Sequence, residues 1–204
     1  MQPKLLVEAI GTFFLVFVIA LSGNPLAIGL VLMVMVYMGG HISGAHYNPA
    51  VSLALWLRGK IPTGLMVQYR FAQLCGAFVA ALLAFWLTDK ALVPMPHADI
   101  SAIQAVVVEA IFTFALALTV ISVAASKSTA GNQYYGLAIG ATIIAAAFAG
   151  GPLSGGAFNP AVGVGPLLLS AFRGGAFMHG WIYIIGPFLG GRLAAQVAHK
   201  VMRE

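Results

Sequence analysis

The sequence predicts an all-α membrane protein, with six transmembrane helices and two re-entrant half-helices laid out as an inverted repeat. Three observations carry this prediction. Of 204 residues, 61% are hydrophobic and 7% charged, with a mean hydropathy of +0.97, whereas a soluble domain carries roughly 25% charged residues. The segment Ser43-Gly44-Ala45-His46-Tyr47-Asn48-Pro49-Ala50-Val51 returns as Ser154-Gly155-Gly156-Ala157-Phe158-Asn159-Pro160-Ala161-Val162. Earlier in each half, Val7-Glu8-Ala9-Ile10-Gly11-Thr12-Phe13 returns as Val108-Glu109-Ala110-Ile111-Phe112-Thr113-Phe114, with Phe112 in place of Gly11.

The apolar segments follow in order. Leu5 to Leu21 is long enough to be a retained span, and Glu8 inside it argues against a cleaved signal peptide. Leu26 to Met38 and Tyr135 to Ala149 are short as counted and extend through their flanking glycines. Gly64 to Leu87, Ala102 to Ala125 and Phe177 to Val197 complete the six. The connections are brief: Ser22 to Pro25, Asp89 to Ile100 with Pro94 and Pro96, and Ser126 to Gln133. No linker or low-complexity tract marks a boundary, so residues 1–204 read as a single channel domain, with repeats of about 1–90 and 100–204.

Between spans sit the two motif segments. Each runs from glycine-bearing irregular backbone to Asn at a helix N-cap and Pro at the first helical position. From Ala50 the apolar run reaches Leu57 and stops at Arg58-Gly59-Lys60. That is roughly 12 Å at 1.5 Å per residue, under half of the roughly 30 Å hydrocarbon core. Neither half-helix spans. Each half holds an odd number of full spans, so the second is inverted relative to the first, and the two half-helix starts meet near the midplane. Pro166 lies inside the second half-helix and releases the carbonyl of Val162.

The net charge of +5 and pI near 9.6 do not indicate a nucleic-acid partner, because the basic residues fall mainly at segment ends. With the N-terminus inside, Lys4, Arg58, Lys60, Lys127, Lys200 and Arg203 are cytoplasmic and only Lys90 and Arg173 lie outside. Both termini are then cytoplasmic. Arg70 and Arg192 snorkel from helix ends. Cys75, the one cysteine, excludes an intrachain disulfide and reads as a small buried side chain. His97 and His179 lack a partner at metal-ligand spacing, so neither metal nor cofactor is expected. The pairs Gly136/Gly140 and Gly186/Gly190 have the spacing of close helix packing.

Two facing half-helix N-termini put positive dipole ends and free N–H groups at the bilayer centre, which repels cations and protons. Each Asn Oδ1 caps its own helix and leaves the Nδ2 hydrogens for the lumen. The backbone before each Asn offers carbonyls of Gly44, Ala45, His46 and Tyr47, and of Gly155, Gly156, Ala157 and Phe158, tolerable in lipid only where they line a cavity. A file of acceptors around two donors suits small neutral solutes that hydrogen-bond. Glu8 and Glu109 fit a supporting role, accepting bonds from loop N–H groups. His46 is a candidate for the lumen, and His41 for the cytoplasmic mouth.

The paired Asn-Pro-Ala segments, the early glutamates, Ala72-Gln73-Leu74-Cys75-Gly76-Ala77 and Gly186-Pro187-Phe188-Leu189-Gly190-Gly191 together resemble the aquaporin, or major intrinsic protein, family from about Leu5 to Val197. The resemblance implies passive conduction through one pore per subunit of a homotetramer, without cofactor or enzymatic activity. Its pore motifs fall on Asn48, Pro49, Ala50 and on Asn159, Pro160, Ala161. Its selectivity filter falls on Ile28, Ala147, Gly156 and Val162. Relatives usually carry Arg where Val162 stands; without it the ring is expected to be wider and greasier. The expected permeants are water and small uncharged solutes such as glycerol, urea, ammonia or undissociated metalloid acids like arsenous acid. Ile28 supplies no aromatic wall, and Gly163 replaces the Asp of many glycerol channels, so a dedicated glycerol facilitator is disfavoured.

The alternative is a proton-coupled secondary transporter using Glu8 and Glu109 as relays. An intramembrane hydrolase would need Ser154 with His179, and the repetition of Ser154 as Ser43 favours a turn role instead. The brief termini point to a bacterial plasma (inner) membrane.

Overall fold

A computed structural model describes residues 2–175 and 177–202. Arg203, assigned above to the cytoplasmic side, lies outside them. Among the described residues all regular structure is helical: α1 (Pro3–Ser22), α2 (Pro25–Ser43), α3 (Pro49–Leu57), α4 (Thr63–Thr88), α5 (Ala102–Val120), α6 (Tyr135–Ser154), α7 (Pro160–Phe172) and α8 (Ile182–Val201). A π-helical turn, Ile121–Ala125, continues α5. Together the two make a 24-residue apolar stretch.

Among the described residues five stretches are long and apolar enough to cross a membrane: α1, α2, α4, α5 with its π turn, and α6. The sixth long helix, α8, has 20 residues but carries Arg192, His199 and Lys200. It begins at Ile182, five residues after the Phe177 expected from hydropathy. The chain between is closed into turns by Gly180 N–H donating to the Phe177 carbonyl and Ile182 N–H to that of His179. As expected, α2 and α6 run through their glycines, each ending on a left-handed glycine, Gly44 and Gly155. The remaining helices are short: nine residues in α3 and 13 in α7, about 14 and 20 Å.

Polarity is arranged inside out relative to a soluble protein. Phe71, Trp86, Ile103 and Phe172 are between 71 and 79% exposed on the outer surface, while Glu8, Gln73, Glu109 and Ser154 are 0% exposed. Apolar surface of this kind is stable against lipid or a packed neighbour, not against water. The long helices approach closely through small residues. A Cβ at Gly140 would meet the Gly29 carbonyl, one at Gly190 the Ala110 carbonyl, and one at Gly76 the Ala9 carbonyl.

That last contact also explains Cys75. It is exposed rather than buried, because Gly76 is the position that turns α4 toward α1 and its neighbour faces outward beside Phe13 and Phe14. The Arg70 guanidinium lies over the Phe188 ring, 4.8 Å from the centroid.

The two short helices point in opposite directions. The end of α3 lies by the start of α4, through Trp56 Nε1 to Thr63 Oγ1 at 2.9 Å, and by the end of α8, through Arg58 to His199 at 3.1 Å. The end of α7 lies by the end of α4, with the Arg173 guanidinium 3.8 Å from the centroid of Phe85. The start of α1, whose Lys4 shares a cavity with Lys60 and Pro62, lies with the end of α8 on one face, here called the terminal face.

Candidate functional site: a strapped corridor at mid-membrane

The site is built from the residues preceding each short helix. Asn48 and Asn159 have nearly the same extended backbone, φ −153° and −159°, and the same job. Asn48 Oδ1 accepts the Ala50 N–H at 2.8 Å and Asn159 Oδ1 accepts the Ala161 N–H at 2.9 Å. Pro49 and Pro160 occupy the first helical position, where the missing N–H costs nothing.

The Nδ2 groups correct one expectation. They are not both wholly free for the lumen. Asn48 Nδ2 donates to the Phe158 carbonyl at 3.0 Å, and Asn159 Nδ2 donates to the Tyr47 carbonyl at 2.8 Å. Each asparagine thus straps the loop that carries the other. One hydrogen on each amide remains, and the carbonyls of Tyr47 and Phe158, expected to serve the lumen, each have one lone pair already engaged. The physical reason is proximity: two half-helices meeting tip to tip bring each amide within reach of the opposite strand.

Strained backbone aims these carbonyls. Ala45, Tyr47 and Phe158 have φ of 51°, 49° and 49°, and Gly44, Gly155 and Gly156 are also left-handed. For a non-glycine residue this costs of order 1–3 kcal/mol. The glutamates offset it. Glu8 accepts the N–H groups of His46 at 3.0 Å and Tyr47 at 2.8 Å, the Ser43 hydroxyl at 2.6 Å and Gln73 Nε2 at 2.7 Å. Glu109 accepts the Ala157 N–H at 3.0 Å, the Phe158 N–H and the Ser154 hydroxyl at 2.8 Å. Ser43 and Ser154 close turns, as expected, by accepting the N–H groups of Ala45 and Gly156.

Two supports escaped sequence reasoning. Tyr69 donates to the Ser43 carbonyl and Tyr183 to the Ser154 carbonyl, each at 2.7 Å. Both hydroxyls satisfy the carbonyl that the helix end leaves open. The available signal was a tyrosine in α4, one turn before Gln73, on a face otherwise made of Ala and Gly.

Between the loops runs a corridor of about 30 Å³, enough for two or three waters at about 10–15 Å³ each. Ile28, Ala147, Gly156 and Val162 all line it together with Asn48 and Asn159. Ala45, His46, Tyr47, Ala157 and Phe158 do so as well, while Gly44 opens onto wider cavities of about 520 and 420 Å³ on the terminal face. His41 lines the first of these, at the mouth. The four ring positions do not line this space alone. Ile19, Leu116, Ile139 and Ile143 crowd the same space. Among the described residues no three His, Cys, Asp or Glu side chains come together to hold a metal.

A shell of apolar helices around two opposed, mutually strapped half-helices with a water-sized corridor between them defines an integral membrane channel of the broken-helix type. The chain belongs to the major intrinsic protein family, whose model matches residues 2–198. It is 39% identical to a probable aquaporin, NIP4-2, of Arabidopsis thaliana, over 93% of this chain and 71% of that one. Nodulin-26 of Glycine max is 35% identical, over 97% and 77%. Among solved structures, the aquaglyceroporin from Plasmodium falciparum superposes with a TM-score of 0.86 at 27% identity, covering 97% of this chain and 95% of that one.

Proposed function

We propose that the protein is a passive transmembrane channel for water and small uncharged solutes, working as a homotetramer with one corridor per subunit and with its terminal face toward the cytoplasm. The observation that carries this is the pair of asparagine amides. Each is fixed by a bond across to the opposite loop, so its remaining hydrogen is a preorganised donor to a solute oxygen inside a mainly apolar passage. The two halves, about 1–90 and 100–204, act as inverted copies that contribute one amide each.

Water and solutes near its size, such as ammonia, fit the corridor as it stands. Glycerol, urea and undissociated metalloid acids require Ile28 and Val162 to rotate aside. Val162, small and apolar, sets that threshold. The relatives reported above come from plants and Plasmodium and add nothing to the expectation of a bacterial inner membrane. The transporter alternative is not favoured, because both oxygens of Glu8 and of Glu109 are engaged by donors and both residues are 0% exposed.

Light scattering from reconstituted vesicles tests the reading. Wild-type vesicles should shrink osmotically faster than protein-free ones, and Val162→Arg should abolish uptake of urea and glycerol. Uptake of those solutes unchanged by the substitution would remove Val162 from the filter.

A further inference from the structure

The first loop has polar supports that the second lacks. Ahead of Asn48 stands His46, where the second loop has Ala157, and one turn into α3 stands Ser52, where α7 has Gly163. His46 is 5% exposed and lines both the central corridor and one terminal-face cavity. It is the polar side chain at the junction of the two.

Its ring is held on two sides. Tyr69 packs edge-on against it, with centroids 5.0 Å apart. Nδ1 lies 3.0 Å from Ser52 Oγ. The same Oγ lies 3.1 Å from Gln73 Nε2, whose other contact is Glu8 Oε2 at 2.7 Å. Proton positions along this chain follow from its far end. Both Glu8 oxygens serve as acceptors for loop N–H groups, so Gln73 must turn its NH₂, not its oxygen, toward Glu8. One Gln73 hydrogen then goes to Glu8 and the other to Ser52 Oγ. The orientation leaves Gln73 Oε1 buried without a partner, a cost that the bond to a carboxylate offsets. Ser52, already accepting from Gln73, has its own proton to place, and His46 Nδ1 is the other group within reach.

Resting on the channel reading above, we infer that Glu8, Gln73 and Ser52 form a relay that fixes His46 in the tautomer with its proton on Nε2, making it a third donor of the passage. Gln73 and Ser52 are positioning residues; His46 is the specificity-determining one. The Nε2 edge of the ring faces Gly44, which lines both wide cavities. A neutral solute leaving the asparagine amides offers a lone pair to this N–H. A cation whose only polar groups are N–H donors finds no acceptor there, and its charge is opposed. This supports charge exclusion at the terminal end, in a chain whose ring has Val162 and no fixed positive charge.

The test uses the full chain, labelled with ¹⁵N-histidine and reconstituted in phosphatidylcholine vesicles. Solid-state NMR reads which ring nitrogen of His46 bears the proton, with the signal assigned by its loss in His46→Asn. The wild type should carry it on Nε2 alone. A proton on Nδ1, in a singly or doubly protonated ring, overturns the relay without recourse to any further variant. Ser52→Ala should release the ring into both tautomers and lower water permeability by about twofold, the share of subunits without the donor. Ser52→Thr, which keeps the hydroxyl, should restore the Nε2 form. A purely structural Ser52 would change stability and leave the tautomer as it was, and that result also overturns the proposal. Wild-type vesicles no more permeable than empty ones would sink the channel reading and the donor's role in it, separately from the tautomer result.

Discussion

Replacing Glu109 by alanine tests how the second loop is held. Three donors lose their acceptor: the N–H groups of Ala157 and Phe158 and the hydroxyl of Ser154. The hydroxyl has a second acceptor, the Gly150 carbonyl at 3.3 Å, so it is largely satisfied. The two backbone groups are buried and have no substitute. At about 1–3 kcal/mol for each orphaned donor, the loss is about 2–6 kcal/mol. Set against a total stability of roughly 5–15 kcal/mol, this is a large fraction. It also withdraws the bond that restrains Phe158 at φ 49°, so the loop should relax and Asn159 Nδ2 should lose its register on the Tyr47 carbonyl. Thermal unfolding in detergent is expected to fall on the order of 5–20 °C, and vesicles should lose most of their added water permeability.

Glu109→Gln sharpens the test. The amide keeps one acceptor oxygen and sets an NH₂ against one backbone N–H, so about half the alanine cost, 1–3 kcal/mol, is expected. An alanine variant that melts and conducts like wild type would refute the supporting role. So would a glutamine variant with wild-type melting that has lost uphill transport, since that is the signature of a proton relay.

Asn159→Ala should cost about 0.5–2 kcal/mol in lost capping at Ala161, leave the Tyr47 carbonyl unstrapped, and lower water flux more than melting temperature; Asn48→Ala should do the same from the other side. Gly76→Ala drives a Cβ into the Ala9 carbonyl and should destabilise by about 1–3 kcal/mol in thermal denaturation. Gly64→Ala, on the same helix but with open space around it, should be neutral or stabilising by up to about 1 kcal/mol.

Much of the architecture was legible because hydrophobic length and the doubled motif speak directly to a bilayer. The glutamates were also legible: an acid in an apolar span must find donors, and irregular loops at membrane depth supply them. What the sequence hid depended on distances between chain segments. The Asn48 amide could be read as a cap but not as a strap, because its acceptor at Phe158 belongs to the other half. The start of α8 was misplaced because Phe177 and Met178 are apolar while their backbone is closed into turns. Cys75 was assigned inward on composition alone, although helical phase about Gly76 turns it out. Ile139 and Ile143 look like ordinary span residues until α6 is packed against α2 and they line the corridor. Tyr69 and Tyr183 were missed for want of a polar partner nearby in sequence.

The strap between the two loops has a bearing on how the protein is made. Asn48 and its acceptor at Phe158 are 110 residues apart, so at about 5–20 residues per second a ribosome needs roughly 6–22 s to supply the second after the first. Until then the Asn48 amide has no Phe158 carbonyl to meet, whereas Glu8, synthesised before the first loop, is in place to accept the N–H groups of His46 and Tyr47. The carboxylate support of the first loop is thus local to its own half, and the strap waits on the other.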